Sequence, residues 1–296
     1  MVNRSEAALR FRRFVRTPKA LLLMILVPLI AVTAPRATGG AGRAWLVVGV
    51  AAAAGGAVDT LCAASRGWGA RLPDGAVLTG VLIGMIIDPG VALPTIAAMT
   101  AVAILAKHLV RTRRGHMFNP APLVLVGAGL IGVKAQSWWG VASAPTLVII
   151  PLVIVTGLFI TDRVNRLPMV GAFLGTYYGA LAVGSFTGAA SRVAEAYHAP
   201  FVNAVLFAAF VMLTDPPTSP GRRTEQYTYG IIAAATSVVC VVTVHELYFL
   251  PLGLLVGNGW LAALRLRQRS AGAAGRRPPT SPATSTSPSL VPEVMP

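Results

Sequence analysis

Two short stretches, Met85-Ile86-Ile87-Asp88-Pro89 and Met212-Leu213-Thr214-Asp215-Pro216, follow the same pattern far apart in the chain. Each closes a short apolar segment with an aspartate and a proline, a pair that can end one helix and begin the next. The first closes the third apolar segment and the second closes the eighth. The third and the eighth segments are each the third of a set of five, which predicts two repeats of five helices. Because each repeat has an odd number of helices, the second repeat is inverted in the membrane.

The composition around these stretches is typical of a membrane protein. Of the 296 residues, 55% are hydrophobic and 12% are charged, whereas soluble domains have about 25% charged residues. Ten apolar segments are candidates for crossing a bilayer, which takes roughly 20 residues. They cover residues 19–34, 44–64, 75–88, 91–106, 119–135, 144–161, 168–184, 200–214, 228–244 and 247–263. The predicted fold class is all-α: a polytopic membrane protein of about ten transmembrane helices in two inverted five-helix repeats.

The basic residues give the predicted orientation, because cytoplasmic loops retain lysine and arginine. With a cytoplasmic amino terminus, all but four of the 25 Lys and Arg residues fall on the cytoplasmic side. The four exceptions are Arg36, Arg43, Lys134 and Arg192. We therefore expect both termini in the cytoplasm and the protein in a bacterial-type cytoplasmic membrane. Nucleic acid is not an expected partner despite the net charge of +15, since no basic run is interleaved with aromatic residues.

The chain divides by composition into three parts. Residues 1–18 form a basic cytoplasmic amino terminus, and residues 19–265 form the membrane domain, with repeats at about 19–135 and 144–263. Residues 266–296 are first basic and then rich in Pro, Ser and Thr. Such a segment buries too little apolar surface to fold, which predicts a disordered cytoplasmic tail.

Ionisable residues within apolar segments are costly in lipid and therefore informative. Asp59 is the deepest of them and is a candidate for proton or cation coupling, or an acid near a helix end that reaches water. Asp88 is a second ion-coupling candidate, with a plain loop turn as the alternative. The four histidines do not have metal-ligand spacing, so no metal site is predicted. No hydrolase, phosphate-loop or dinucleotide motif appears, and catalytic residues are not assigned.

Two loop motifs lie on the predicted cytoplasmic side. In the first, His116-Met117-Phe118-Asn119-Pro120-Ala121, Asn119 can cap the fifth apolar helix with Pro120 in its first turn. That capping role alone would explain these residues. In the second, Thr214-Asp215-Pro216-Pro217-Thr218-Ser219-Pro220, three prolines fix a turn that carries four oxygen-bearing side chains. A rigid polar turn at membrane depth indicates a binding site.

These two segments resemble the signature segments of the NqrB/RnfD family, the membrane subunits of sodium-pumping quinone reductase and of the Rnf electron-transport complex. Arg16-Thr17-Pro18-Lys19 and Gly75-Ala76-Val77-Leu78-Thr79-Gly80 are also similar to that family. The resemblance covers about residues 14–265. It implies ten helices in two inverted repeats, a flavin, and electron transfer across or along the membrane.

The resemblance also implies where the flavin is held. Family members commonly link FMN to a threonine in a Ser-Gly-Ala-Thr type segment between the fifth and sixth helices. Thr146 is the nearest candidate by position, but the preceding residues read Ser143-Ala144-Pro145 without that motif, so covalent attachment is not favoured. A non-covalent riboflavin or FMN between the repeats is expected instead. Its expected contacts are Phe118, Asn119, Pro120, Thr214, Asp215, Pro216 and Thr218.

The missing attachment motif indicates a divergent branch, such as the UnbU-like membrane proteins of enediyne and other specialised-metabolite gene clusters. The leading hypothesis is a membrane electron-transport component that exchanges electrons with partner redox subunits or proteins, as part of an ion-translocating oxidoreductase complex. A secondary transporter of a small solute or ion is the alternative, since inverted repeats with broken helices are also a transporter architecture. A membrane scaffold without chemistry is the third possibility.

Overall fold

The structure, a computed structural model, describes residues 17–69, 72–112, 115–133, 136–143, 145–186, 193–194, 196–243 and 247–274. Those residues are almost entirely helical. The helices are α1 Pro18–Thr33, α2 Gly40–Ser65, α3 Asp74–Ile86, α4 Leu93–Leu109, α5 Pro120–Leu130, α6 Trp139–Ala142, α7 Thr146–Arg163, α8 Leu167–Ser185, α9 Ala199–Phe207, α10 Arg223–Thr243 and α11 Phe249–Ala274. A π-helical turn, Ala208–Met212, continues α9. Between α4 and α5, two antiparallel strands of two residues each, β1 Arg111–Thr112 and β2 Gly115–His116, form a hairpin.

Each of the ten predicted apolar segments overlaps a helix, so the all-α prediction is confirmed. Within the described residues, five helices are long and apolar enough to cross a membrane. They are Lys19–Arg36, Gly40–Ser65, Leu167–Ser185, Arg223–Thr243 and Phe249–Gln268. Four shorter apolar helices are Asp74–Ile86, Leu93–Leu109, Pro120–Leu130 and Pro200–Met212. Large apolar side chains such as Leu61, Val155 and Val239 are exposed on helix surfaces, as expected where lipid replaces water.

The chain forms two compact units, Met1–Ala262 and Ala263–Pro296. The first contains helices α1 to α10 and the first half of α11. The second contains the remainder of α11, in which the Ser270 hydroxyl donates to the Leu266 carbonyl oxygen (3.3 Å). Residues 1–16 of the predicted basic amino terminus and residues 275–296 of the predicted tail lie outside the described residues, whereas residues 266–274 of the predicted tail belong to α11.

Helices α2 and α3 pack closely because glycine lies at their contact. A Cβ atom on Gly84 would lie 2.9 Å from the Cα atom of Val48, and one on Gly80 would overlap the carbonyl group of Ala51. A Cβ atom on Gly55 of α2 would lie 2.7 Å from the Ala76 carbonyl oxygen. Small residues four apart allow helix backbones to meet within a membrane, where van der Waals packing replaces the hydrophobic effect.

A methyl group added at Gly80 is therefore expected to destabilise the protein. Gly80→Ala forces two helix backbones apart, and overpacking of this kind costs about 1–3 kcal/mol. Gly49→Ala is the matched control on α2, because a Cβ there meets nothing within 4 Å; it should be neutral or stabilising by about 0.5–1 kcal/mol. Thermal unfolding of the purified variants in detergent measures both effects. Equal unfolding temperatures for the two variants would contradict this packing.

The two Asp-Pro turns are each held by an arginine from the start of another helix. At the first, the Asp88 carboxylate accepts from the Gly90 amide (2.7 Å), and the Arg43 guanidinium donates to the carbonyl oxygens of Pro89 and Val91 (both 2.7 Å). At the second, Arg166 Nε donates to the Ser219 hydroxyl (2.9 Å). Arg43 lies near the start of α2, and Arg166 directly precedes α8.

The ends of the short helices α3 and α9 each meet a distant part of the chain. The Ile86 carbonyl oxygen at the end of α3 accepts from the amides of Ser137 (2.9 Å) and Trp138 (3.0 Å). The Trp138 indole in turn donates to the Leu247 carbonyl oxygen, just before α11 (3.1 Å). At the end of the π-helical turn, the Met212 carbonyl oxygen accepts from the Asn119 side chain, just before α5 (3.4 Å).

Candidate functional site

Asn119 caps α5 as its sequence context predicts. Its backbone is extended, with φ −67° and ψ 123°, and its side-chain oxygen accepts from the Ala121 amide at 3.3 Å. Pro120 occupies the first helical position, where its missing N–H has no partner to lose. The Asn119 side chain is buried and its nitrogen reaches the Met212 carbonyl oxygen, so the cap also fastens α5 to the other half of the sequence.

The second motif folds into a turn held by its own hydroxyl groups. The Thr214 hydroxyl donates to the Phe210 carbonyl oxygen (2.7 Å). The Thr218 hydroxyl donates to the Asp215 carboxylate (2.8 Å), and the Asp215 carbonyl oxygen accepts from the Thr218 and Ser219 amides. Thr214 and Thr218 are buried, Asp215 is half-buried and Pro216 is exposed. The π-helical turn just before this motif is a feature often found at functional sites.

Asn258 of α11 joins the two motifs. Its side-chain oxygen accepts from the Asn119 amide at 2.9 Å, and its side-chain nitrogen donates to the Thr218 carbonyl oxygen at 3.2 Å and contacts the Tyr229 hydroxyl at 2.5 Å. Asn258 and Tyr229 are both buried. One amide side chain therefore ties α5, the 214–220 turn and α10 together.

The two predicted motifs thus lie side by side, and most of their polar side chains bind protein groups. Phe118 approaches Gly259 of α11, where an added Cβ would lie 3.9 Å from the phenyl ring. Asn258 and Tyr229 were not among the predicted site residues. The sequence could have indicated Asn258, because it lies within the apolar segment 247–263 and an amide side chain there is costly unless it is hydrogen-bonded.

A polar cavity of about 220 Å³ adjoins these motifs. A Cβ atom on Gly115, which lines the cavity, would lie 3.6 Å from the Pro217 Cβ atom of the second motif. Most of the lining residues are charged or titratable, and they come from α1, α2, α3, α4 and the hairpin. They are Lys19, Asp59, Leu72, Asp74, Gly75, Lys107, His108, Arg111, Gly115 and His116.

Asp59 is buried within this lining and is paired. One carboxylate oxygen lies 2.8 Å from His108 Nε2 and 3.7 Å from the Lys107 ammonium group. Arg66 Nη1 lies 3.2 Å from His108 Nδ1. Since a guanidinium group can only donate, Nδ1 must accept and Nε2 must carry the proton that His108 donates to Asp59. His108 is therefore a neutral bridge between an arginine and a buried carboxylate, a role that its sequence position did not suggest.

His116 faces the same cavity from the hairpin, and its Nδ1 atom lies 2.9 Å from the Phe118 carbonyl oxygen. Burial lowers the pKa of His116 below its ordinary 6.5, although the nearby Asp215 carboxylate acts in the opposite direction. The folded protein therefore favours the neutral imidazole, which donates from Nδ1 to Phe118 and leaves Nε2 free to accept.

We expect His116 to contribute an acid-sensitive part of the stability. Because its pKa is lower in the folded state, the unfolded chain takes up the proton first as the pH falls. The contribution is complete above about pH 6.5 and is lost as the pH falls toward the lower pKa of the folded state. His116→Gln should therefore lose less stability than the natural protein between neutral and mildly acidic pH. Unfolding temperatures measured across that range in detergent test this, and parallel curves for the two proteins would contradict it.

The remaining predicted residues lie elsewhere. Asp88 follows the carboxyl end of α3, whereas the cavity lies at the amino end of this helix. Because α3 has 13 residues, the two sites are about 20 Å apart. Its carboxylate accepts from the Gly90 amide and the Thr38 hydroxyl, and its role in ion coupling stays a prediction. Thr146 begins α7, and its side chain lies outside the described residues. No group of three or more His, Cys, Asp or Glu residues that could hold a metal ion occurs in the described part of the chain.

Comparison with known proteins identifies no family for this chain. No protein-family model matches the chain, and no curated protein matches its sequence. The resemblance to the NqrB/RnfD family therefore rests on the motif residues, of which 118–121 and 214–220 now have a described geometry.

Proposed function

We propose that this protein is a membrane electron-transport component resembling RnfD and NqrB, built from ten spans in two inverted repeats. A non-covalent riboflavin or FMN lies near Asn119 and Asp215 and exchanges electrons with partner redox proteins, in a pathway such as enediyne biosynthesis. Both termini lie in the cytoplasm of a bacterial-type cell. The observation that carries the proposal is that the two family-like segments, distant in sequence, meet on Asn258.

The contacts of the two halves support inverted repeats. Each half has an arginine near the start of its second helix that binds the Asp-Pro turn after its third helix, namely Arg43 and Arg166. In each half, the end of the third helix also contacts the start of the last helix of the other half. At the end of α9 and its π-helical turn, Met212 binds Asn119 at the start of α5 directly. At the end of α3, Ile86 binds Trp138, which in turn binds Leu247 at the start of α11. Reciprocal exchange of this kind is expected for two related halves around a shared interface.

Cysteine labelling in intact cells tests the inversion. In a background without Cys62 and Cys240, single cysteines replace Ala92, after the first Asp-Pro turn, or Gly221, after the second; both residues are exposed. A membrane-impermeant maleimide should label Ala92→Cys from outside, and should label Gly221→Cys only after the cells are permeabilised. Labelling of both positions from the same side would overturn the inverted arrangement.

Titration with flavin tests the cofactor. Protein purified in detergent and freed of bound small molecules is titrated with riboflavin and with FMN while the flavin fluorescence is followed. Saturable quenching should occur, because aromatic and polar contacts hold the ring in a water-poor site. Gly221→Ala, at an exposed position with nothing within 4 Å, should bind as the natural protein does. A linear, unsaturable response would contradict the proposal.

A secondary transporter is the second candidate, and the paired Asp59 in a charged cavity favours it. Buried carboxylates next to His and Lys side chains are typical of coupled ion movement. The isosteric Asp59→Asn separates the two functions. As a transporter, the protein would be colourless, and this variant would lose uptake in proteoliposomes while remaining folded. As an electron-transport component, it would keep its flavin.

A further inference from the structure

Cationic side chains from three separate elements line the cavity of about 220 Å³. Lys19 comes from the start of α1, Lys107 from the end of α4 and Arg111 from β1. Residues that lie far apart in the sequence are thus gathered around one space. That volume holds a phosphate-sized anion together with a small substituent or water.

The two ammonium groups converge on one point beside Gly75. A Cβ atom on Gly75 would lie 3.4 Å from the Lys19 ammonium nitrogen and 3.5 Å from that of Lys107. Like charges held this close in a partly enclosed site repel each other. The absent side chain of Gly75 leaves open the space in which an anion would contact both groups.

The acidic residues of the cavity lie behind the lysines. Asp74 accepts from the Gly75 amide (2.7 Å) and from Lys19 (3.2 Å), and Asp59 is held by His108 and Lys107. The side chains of Lys19 and Lys107 are 50% and 21% exposed, whereas those of their partners Asp74 and Asp59 are 30% and 7% exposed. Within each pair the lysine side chain is the more exposed, so the lysines are open to an entering ligand.

We propose that this cavity binds a phosphate group, with Lys19 and Lys107 as its two charged contacts and Arg111 at its rim. The lining has three cationic side chains, Lys19, Lys107 and Arg111, against the two carboxylates of Asp59 and Asp74, and hydrogen bonds between ionised partners are the strong ones. The group is carried either by a soluble phosphate ester or by a lipid headgroup. The proposal is independent of flavin binding, because its cationic contacts Lys19, Lys107 and Arg111 lie outside the two motifs.

Inorganic phosphate is the probe for the first test. The full chain in detergent is heated in phosphate and in chloride at equal ionic strength. Phosphate should raise the unfolding temperature in a saturable way, because a ligand that binds the folded state stabilises it. Lys19→Gln and Lys107→Gln should each weaken phosphate binding at least tenfold. Arg222→Gln, which removes an exposed arginine outside the cavity, should bind as the natural protein does.

A second variant keeps the proposal testable if a lysine variant fails to fold. Gly75→Glu places a carboxylate where the phosphate would lie, in the first turn of α3, where an acid is favourable. This variant should fold and should no longer respond to phosphate. The proposal would be overturned if phosphate did not raise the unfolding temperature of the natural protein. It would also be overturned if Gly75→Glu responded to phosphate as the natural protein does, or if Arg222→Gln weakened phosphate binding as much as the lysine variants.

Competition distinguishes the two sources of the phosphate group. Glycerol 3-phosphate represents a soluble monoester, and short-chain phosphatidic acid represents a lipid whose headgroup is a phosphate monoester. Tighter binding of the first in the natural protein, lost in Gly75→Glu, assigns the cavity to a soluble ester. Tighter binding of the second with the same loss assigns it to a lipid. Binding of neither contradicts the proposal, whatever the flavin content of the protein.

Discussion

Replacing Asn258 by leucine is expected to lower the free energy of unfolding by about 3–5 kcal/mol and to abolish flavin binding. The side chain satisfies the Asn119 amide, the Thr218 carbonyl oxygen and the Tyr229 hydroxyl. All three positions are buried; the Asn119 amide and the Thr218 carbonyl oxygen would lose this partner, and each buried polar group left without a partner costs about 1–3 kcal/mol. Denaturation in detergent and flavin titration measure the two effects.

Asn203→Leu is the matched control for this prediction. Asn203 is equally buried, but its side-chain nitrogen donates to one group, the Val141 carbonyl oxygen (3.2 Å), and its side-chain oxygen has no partner among the described residues. Its replacement should cost about 1–2 kcal/mol and leave flavin binding intact. Asn258→Asp keeps the acceptor for Asn119 but loses the donor to Thr218, so we expect an intermediate loss. If Asn258→Leu unfolds like the natural protein, Asn258 does not join the two motifs.

The second large effect is expected at Asp59. Asp59→Leu removes the carboxylate that faces both His108 and Lys107. Breaking a fully buried ion pair by removing one partner costs about 3–5 kcal/mol. Because the Lys107 side chain is 21% exposed and its charge keeps some contact with water, we expect a loss of about 2–3 kcal/mol. Adding Lys107→Met should restore a large part of this loss, since the uncompensated charge is then gone.

Asp74→Leu is the control for the charge pair. Asp74 binds Lys19 at 3.2 Å, but both side chains are substantially exposed, and exposed pairs contribute about 0–1 kcal/mol. The coupling between Asp59 and Lys107 follows from the unfolding free energies of Asp59→Leu, Lys107→Met, the double variant and the natural protein, and Asp74→Leu gives the reference for an exposed pair. A coupling no larger than that of an exposed pair would show that Asp59 is solvated and would remove the observation that favours the transporter.

The helical segments and the cap of α5 could be predicted because their causes are local. Apolar length, the Asp-Pro pairs, and Asn119 followed by Pro120 all act within a few residues. The membrane orientation and the flavin site remain predictions. The family resemblance led us to expect the two motifs close together, and in the structure both contact Asn258.

The pairs that build the cavity could not be predicted from spacing. Asp59 and His108 lie on different helices, and their contact depends on how α2 packs against α4. Asn258 reaches Asn119 and Thr218 for the same reason, since side chains distant in sequence meet only when helices pack. A composition that is apolar almost everywhere leaves many such packings equally possible, and the glycines between α2 and α3 select one of them.

Flavin content after acid precipitation tests the proposed function most directly. The chain is purified in detergent from cells that also produce its partner proteins, precipitated with acid, and its flavin fluorescence is measured in the pellet and in the supernatant. We predict flavin in the supernatant, close to one per chain, and none in the pellet. Pellet fluorescence lost in Thr146→Ala would contradict non-covalent binding, and no flavin in either fraction would contradict the electron-transport function and favour the transporter.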